Sequence, residues 1–254
     1  MDFKPKLCAF DLDGTLAESK TRMTVQMGEL LADLLKKMPV AVMSGAAFHQ
    51  FENQFLVSMP DDANLTNLYL FPTNAAACYV HRNGAWHPEY EHAFGPEEKK
   101  RILDALNESL REVKFVQPEK LYGEQIEDRG TQIAWSALGQ QAPIEIKKVW
   151  DPDRKKRLPI REALLKRLPD VSIGVNAANT IDITRKGITK AYGITRLAEL
   201  SGITIAEMIY VGDALDEGGN DSVVIETGVR THAVFGPKET AEFIEKVLAT
   251  THPH

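Results

Sequence analysis

The sequence predicts an α/β fold in which an α+β domain is inserted into a parallel-sheet core, and three observations carry the prediction. Short apolar runs alternate with amphipathic helical stretches at both ends of the 254-residue chain, as in a parallel sheet. Strand-like runs around Asn-Gly and Arg-Gly turns fill the middle, as in antiparallel hairpins. Two of the terminal apolar runs stop in acidic, glycine-containing loops, and the ends of parallel strands are where open α/β sheets bind ligands.

Lys6 to Phe10 reads as a short buried strand that runs into Asp11-Leu12-Asp13-Gly14-Thr15-Leu16. Thr24 to Lys37 spaces Val25, Met27, Leu30, Leu31, Leu34 and Leu35 as a helix, with Thr24 as N-cap and Pro39 as the stop. Val40 to Met43 is a second buried strand ending in Ser44-Gly45, Phe48 to Met59 the next helix, and Leu68 to Phe71 a third strand closed by Pro72. Ala75 to Val80 and Ala85 to His87 then flank Arg82-Asn83-Gly84, a hairpin signal. A helix from Pro96 to Val116 has proline in its first turn. Gln125 to Leu138 holds two strands around Arg129-Gly130. Helical stretches on either side of Asp151-Pro152 lead to Val171 to Val175 and Thr180 to Thr184, a strand pair around Asn176 to Asn179.

From Thr189 the parallel pattern resumes: a helix to Leu200, a strand from Met208 to Val211, an acidic loop, a helix from about Asn220, a strand from Thr231 to Phe235 and a closing helix from Pro237. The expected domains are therefore a core made of 1–82 and 188–254 and an insertion spanning 83–187, both of ordinary domain size.

Composition narrows the function. With 43% apolar residues the chain buries a core without staples, and Cys8 and Cys78, both in apolar stretches, point to a reducing compartment rather than a disulfide. No run is long enough to span a membrane, and Met1-Asp2-Phe3-Lys4-Pro5 lacks the order of a signal peptide, so the expected location is cytoplasmic. A net charge of −6 disfavours nucleic acid as the main partner and leaves room for a phosphorylated small molecule.

Asp11 and Asp13 repel each other unless a cation or proton lies between them, while an Asx-type turn closed by Gly14 explains the motif without chemistry. The second acidic loop, Gly212 to Asp221, holds four carboxylates and Asn220 directly after a strand. Together the loops make a hard-oxygen site of the kind Mg²⁺ prefers. Ser44-Gly45 offers a hydroxyl and backbone amides to a phosphate oxygen, and Lys190 opens the helix that returns to the core. Arg154 to Arg157, with Arg161, Lys166 and Arg167, reads as the solvated face of a helix. His49, His81, His87 and His92 show no paired ligand spacing.

In this order, DxDGT, Ser-Gly, lysine and GD…GND resemble the haloacid dehalogenase superfamily of Mg²⁺-dependent phosphohydrolases, with its Rossmann-like core and, given the insertion, its type IIB α+β cap. Ile126 to Gly130 is similar to the IEFRNG segment of eukaryotic-type phosphomannomutases, Thr184 to Lys190 to their FPKGWDK, and Gly212 to Asp221 to their GD…GGND loop. The resemblance implies Asp11 as nucleophile and Asp13 as acid/base. It implies Thr15, Ser44, Gly45 and Lys190 around the phosphoryl group, and Asp11, Asp13 (through its carbonyl), Asp213, Asn220 and Asp221 around Mg²⁺.

It also implies that Arg129, Gln140, Lys147, Thr180 and Asp182 bind substrate in the cap, with Lys20 at a core position, and that a homodimer forms through the caps. The family has arginine at the positions of Lys20, Arg129, Gln140 and Lys147, and only Arg129 is retained. A lysine lacks the planar fork that grips phosphate, and a glutamine lacks the charge. The resemblance thus implies phosphoryl transfer on a sugar phosphate. It leaves open a phosphatase, a phosphohexomutase, or a non-catalytic sugar-phosphate-binding protein.

Overall fold

β1 (Leu7–Asp11) is buried along its whole length in the computed structural model, which describes residues 3–175, 179–216 and 219–250. Cys8 and Phe10 pack into one apolar layer, Leu7 and Ala9 into another. Burial on both faces is why the sequence shows a continuous apolar run rather than an alternation. α1 (Val25–Leu35) starts at Thr24, whose hydroxyl accepts a hydrogen bond from Met27 N at 3.2 Å. β2 (Val40–Met43), α2 (Phe48–Gln54) and β3 (Leu68–Phe71) come next, with β1, β2 and β3 parallel. The helix expected to reach Met59 stops at Gln54 and finishes as a 3-10 turn at Leu56–Ser58.

β4 (Ala77–Arg82) and β5 (Ala85–Glu91) form the expected hairpin around Asn83, but β4 pairs antiparallel with β3 and so extends the core sheet. The domain boundary expected after residue 82 falls inside this hairpin. The chain instead divides into Met1–Glu91 with Ile188–His254, and His92–Gly187. A hairpin signal specifies antiparallel pairing and says nothing about which sheet the pair will join.

The unit His92–Gly187 contains α3 (Pro96–Glu112), β6 (Ile126–Asp128), β7 (Gln132–Ser136), α4 (Ile144–Trp150), α5 (Arg157–Arg167), β8 (Val171–Gly174) and β9 (Thr180–Arg185). Its antiparallel sheet has the order β6-β7-β9-β8. Ile133, Trp135, Ile181 and Ile183 pack with Ile102 and Leu106 of α3 and with Ile160 and Leu164 of α5. Residues 176–178 of the expected Asn176 to Asn179 turn lie outside the described residues. The basic stretch is not wholly solvated: Arg157 is 1% exposed and pairs with buried Asp151 at 2.8 Å, because its guanidinium also bonds Thr180 O at 3.0 Å and ties α5 to β9.

In the core unit the chain continues through α6 (Lys190–Ser201), β10 (Met208–Gly212), β11 (Arg230–Ala233) and α7 (Pro237–Thr250). The seven strands run in the order β11-β10-β1-β2-β3-β4-β5, with β10 and β11 parallel to β1. The helix expected from Asn220 is a 3-10 turn, Ser222–Thr227, closed by Gly228 at φ +78°. Six residues before a left-handed glycine leave no room for a longer α-helix. Among the described residues no helix is long and apolar enough to cross a membrane.

Candidate active site

Register brings the two acidic loops together. β1 pairs in parallel with both β2 and β10, so Asp11, Ser44 and Asp213 emerge at the same edge of the sheet. Gly14, at φ +87°, lies so close to Asp213 that a Cβ there would sit 2.4 Å from Oδ2. Gly212 similarly leaves room for Asp221, whose Oδ2 would be 2.5 Å from a Cβ. Carboxyl oxygens of Asp11, Asp213 and Asp221 come within 4.8 Å of one another.

Thr189 caps α6, its hydroxyl accepting from Tyr192 N at 3.4 Å, and this places Lys190 at the first position of the helix. Lys190 Nζ bonds Asp11 Oδ1 and Asp221 Oδ1, each at 2.5 Å, and all three side chains are buried. Burial pushes the Asp11 carboxyl up to about 7; Lys190 pulls it down and Asp221 pushes it up. Burial alone would lower the Lys190 ammonium, but Asp11 and Asp221 more than offset this and hold it above its ordinary value. Burial and Asp221 raise Asp213 as well. The site therefore gathers three carboxyl groups about Lys190, oxygen donors that suit a hard divalent cation.

The other residues predicted for this site fall around the same edge. Asp13 accepts a hydrogen bond from Lys20 N at 2.6 Å, made possible by Lys20 in the left-handed region at φ +59°. Thr15 is fully buried and its hydroxyl has no partner. Ser44 Oγ accepts from Ala46 N at 3.0 Å, and Gly45 lies against the Asn74 amide. Asn220 is exposed on the second loop.

In the unit His92–Gly187, Lys147 Nζ donates to Gln140 O at 3.0 Å, so these two predicted positions meet directly. Arg129 pairs with Glu127 at 2.7 Å. Thr180 and Asp182 sit two residues apart on one face of β9, in register with Ser136 and Ala134 of β7.

Two contributors are not foreseen from the sequence. Tyr210, hidden within the apolar run of β10, donates from Oη to Asp221 Oδ1 at 2.7 Å, while Ala214 N donates to Oδ2 at 3.2 Å. Both side-chain oxygens of Asp221 are thus engaged by protein donors. The turn at Pro72–Ala75 places Thr73, Asn74 and Ala75 consecutively in the left-handed region, with φ of 50°, 56° and 68°. Its amides hold the Ser44 loop: Thr73 N donates to Ala46 O at 2.9 Å and Asn74 N to Ser44 O at 2.8 Å. A left-handed threonine is a genuine backbone outlier, and such outliers gather at functional sites. In sequence nothing but a glycine-free Thr-Asn-Ala after Pro72 marks it.

The model of haloacid dehalogenase-like hydrolases matches residues 8–226. A phosphomannomutase of Encephalitozoon cuniculi is 25% identical over 256 residues, covering 94% of this chain and 92% of the relative. Among solved structures, an IMP-bound IMP-nucleotidase of Plasmodium falciparum superposes with a TM-score of 0.68 at 16% identity, covering 97% of this chain and 68% of that one. The C-terminal domain of the C. albicans trehalose-6-phosphate phosphatase superposes with a TM-score of 0.66 at 14% identity, covering 98% and 94%.

Proposed function

The chain belongs to the haloacid dehalogenase-like hydrolases, and on that basis we propose that it transfers phosphoryl groups from a sugar phosphate through an aspartyl-phosphate on Asp11, with water as acceptor. The observation that carries this reading is the buried Asp11–Lys190–Asp221 bridge beside Asp213 at the ends of β1 and β10. A nucleophilic carboxylate splits a difficult displacement into two easier ones.

The carboxylates of Asp11, Asp213 and Asp221 suit Mg²⁺; Asp11 and Asp213 would hold it, with the Asp13 carbonyl and Asn220 completing the protein's share. Asp221, already engaged by Lys190, Tyr210 and Ala214 N, holds Lys190 in place. When bound, the ion supplies the charge that lets a carboxylate approach a phosphate dianion.

Asp11, whose Oδ1 accepts from Lys190, would attack phosphorus through its carboxylate. The bond from phosphorus to the sugar oxygen breaks as Asp13 gives that oxygen its proton. Asp13, now a carboxylate, takes a proton from water, whose oxygen attacks phosphorus and releases phosphate and free Asp11. The unpartnered Thr15 hydroxyl, the Ser44 loop and Lys190 would bond the transferring oxygens. We place sugar selection in the unit His92–Gly187, through Arg129, Gln140, Lys147, Thr180 and Asp182.

The phosphomannomutase relatives, matched along nearly their whole length, favour a second reading in which a sugar phosphate rather than water accepts the group. Incubation with mannose 1-phosphate, Mg²⁺ and a hexose bisphosphate separates the two. Free phosphate without mannose 6-phosphate supports the phosphatase, and mannose 6-phosphate establishes the mutase. Asp11→Asn should lower either rate by about 10⁴-fold or more. If wild type and Asp11→Asn are equally inactive over a broad phosphate-ester panel, the catalytic reading is refuted.

A further inference from the structure

We propose that Gln132 is a specificity-determining residue whose side-chain amide binds a hydroxyl of the substrate's sugar; the inference rests on the sugar-phosphate reading above. Alternation along β7 sends Ile133 and Trp135 into the apolar cluster with α3 and α5, so Gln132, Ala134 and Ser136 take the opposite face. Register sets Gln132 beside Thr184 and Ala134 beside Asp182, which makes that face of the sheet polar.

The polar groups of this face differ in how they are used. Ser136 is satisfied internally, donating to Gly139 O at 2.9 Å and accepting from Asn179 Nδ2 at 2.7 Å. Gln132 is 0% exposed, and neither its Nε2 nor its Oε1 has a hydrogen-bond partner. A buried amide with both ends unmet is costly to the free protein, and an apolar side chain of the same length would fill the space without that cost. The amide is explained by a group that arrives with the substrate. A primary amide offers two donors and an acceptor, which matches a hydroxyl that both gives and takes a hydrogen bond. A phosphate, an acceptor with two negative charges, calls instead for arginine or lysine.

The test compares wild type with Gln132→Met, of similar volume, and Gln132→Asn, which keeps the amide but withdraws it by one methylene. Steady-state kinetics would use mannose 1-phosphate, mannose 6-phosphate, glucose 1-phosphate and glucose 6-phosphate, with p-nitrophenyl phosphate as an ester that carries no sugar hydroxyl. Both variants should raise KM for the best hexose phosphate by about 2- to 13-fold, the loss of one neutral hydrogen bond. KM for p-nitrophenyl phosphate should be unchanged, kcat should hold within about twofold, and the ligand-free melting temperature of Gln132→Met should equal or exceed that of wild type. An unchanged hexose phosphate KM in both variants overturns the inference. So does an equal rise for both kinds of ester, which would mark a structural role. Turnover of p-nitrophenyl phosphate without any hexose phosphate also overturns it while leaving phosphoryl transfer at Asp11 intact. No turnover of any ester removes the parent reading and the inference together.

Discussion

Methionine in place of Lys190 keeps the side chain's length and apolar stem while deleting its charge, and the structure makes the consequence large. Asp11 and Asp221 share that ammonium, each at 2.5 Å, with all three side chains buried. Removing one partner from a buried ion pair costs about 3–5 kcal/mol, which for a chain of this size lowers the melting temperature by about 6–20 °C. The deficit should depend on pH with a definite sign. Burial already pushes Asp11 up to about 7 against the pull of Lys190, and in Lys190→Met that pull is gone. A carboxyl whose pKa is higher folded than unfolded contributes stability at low pH that is lost as pH rises through the folded value. The deficit is therefore greater near pH 8, where wild-type Asp11 has given up its proton under the pull of Lys190, than near pH 5.5, where a proton neutralises Asp11 in both proteins. Millimolar Mg²⁺ should recover part of it near pH 8. Thermal unfolding of both proteins at the two pH values, with and without Mg²⁺, is the assay. A fall of less than about 3 °C near pH 8, or the same deficit at both pH values, would refute the reasoning.

The same raised Asp11 pKa makes protons compete with the divalent ion, so the Mg²⁺ concentration for half-maximal binding by calorimetry should climb by up to about tenfold per pH unit below 7 and level off above it. Chelation with EDTA should abolish turnover and Mg²⁺ should restore it. Lys20→Pro, which deletes the N–H held by Asp13 and cannot adopt φ of +59°, should lower kcat by about 10- to 100-fold; Lys20→Gly keeps that N–H and should leave kcat near wild type. Arg157→Leu strands the buried Asp151 carboxylate and should cost the unit His92–Gly187 about 3 kcal/mol, seen by denaturant titration monitored through the fluorescence of Trp135 and Trp150.

Much of the candidate site is legible in the chain because its residues sit at punctuation points. Asp11, Asp13, Ser44 and Asp213 directly succeed or end apolar runs, and parallel strands deliver their C-terminal residues to one edge of the sheet. Lys190 is legible as the first residue after an N-cap threonine. Tyr210 is not, since within Met208–Gly212 an aromatic residue looks like any other core residue until its hydroxyl is seen on Asp221. Gln132 escapes for a related reason: a single glutamine in a strand reads as a solvent-facing position, and the packed sheet is needed to reveal that it is buried with its amide unmet. Arg157 reads as solvated because charge runs usually are, and its burial depends on Asp151 and Thr180, which come to it from other elements.

The parallel-sheet core, the inserted α+β unit and the family can be read from the chain, because period, turn residues and acidic strand ends are local properties. Packing was needed to assign the β4–β5 hairpin to the core sheet and to engage Asp221 with Lys190, Tyr210 and Ala214 N. It was also needed to bring three left-handed residues from beyond β3 onto the Ser44 loop. These are matters of which surfaces meet, and hydrogen bonds between residues remote in sequence leave no periodic trace along the chain.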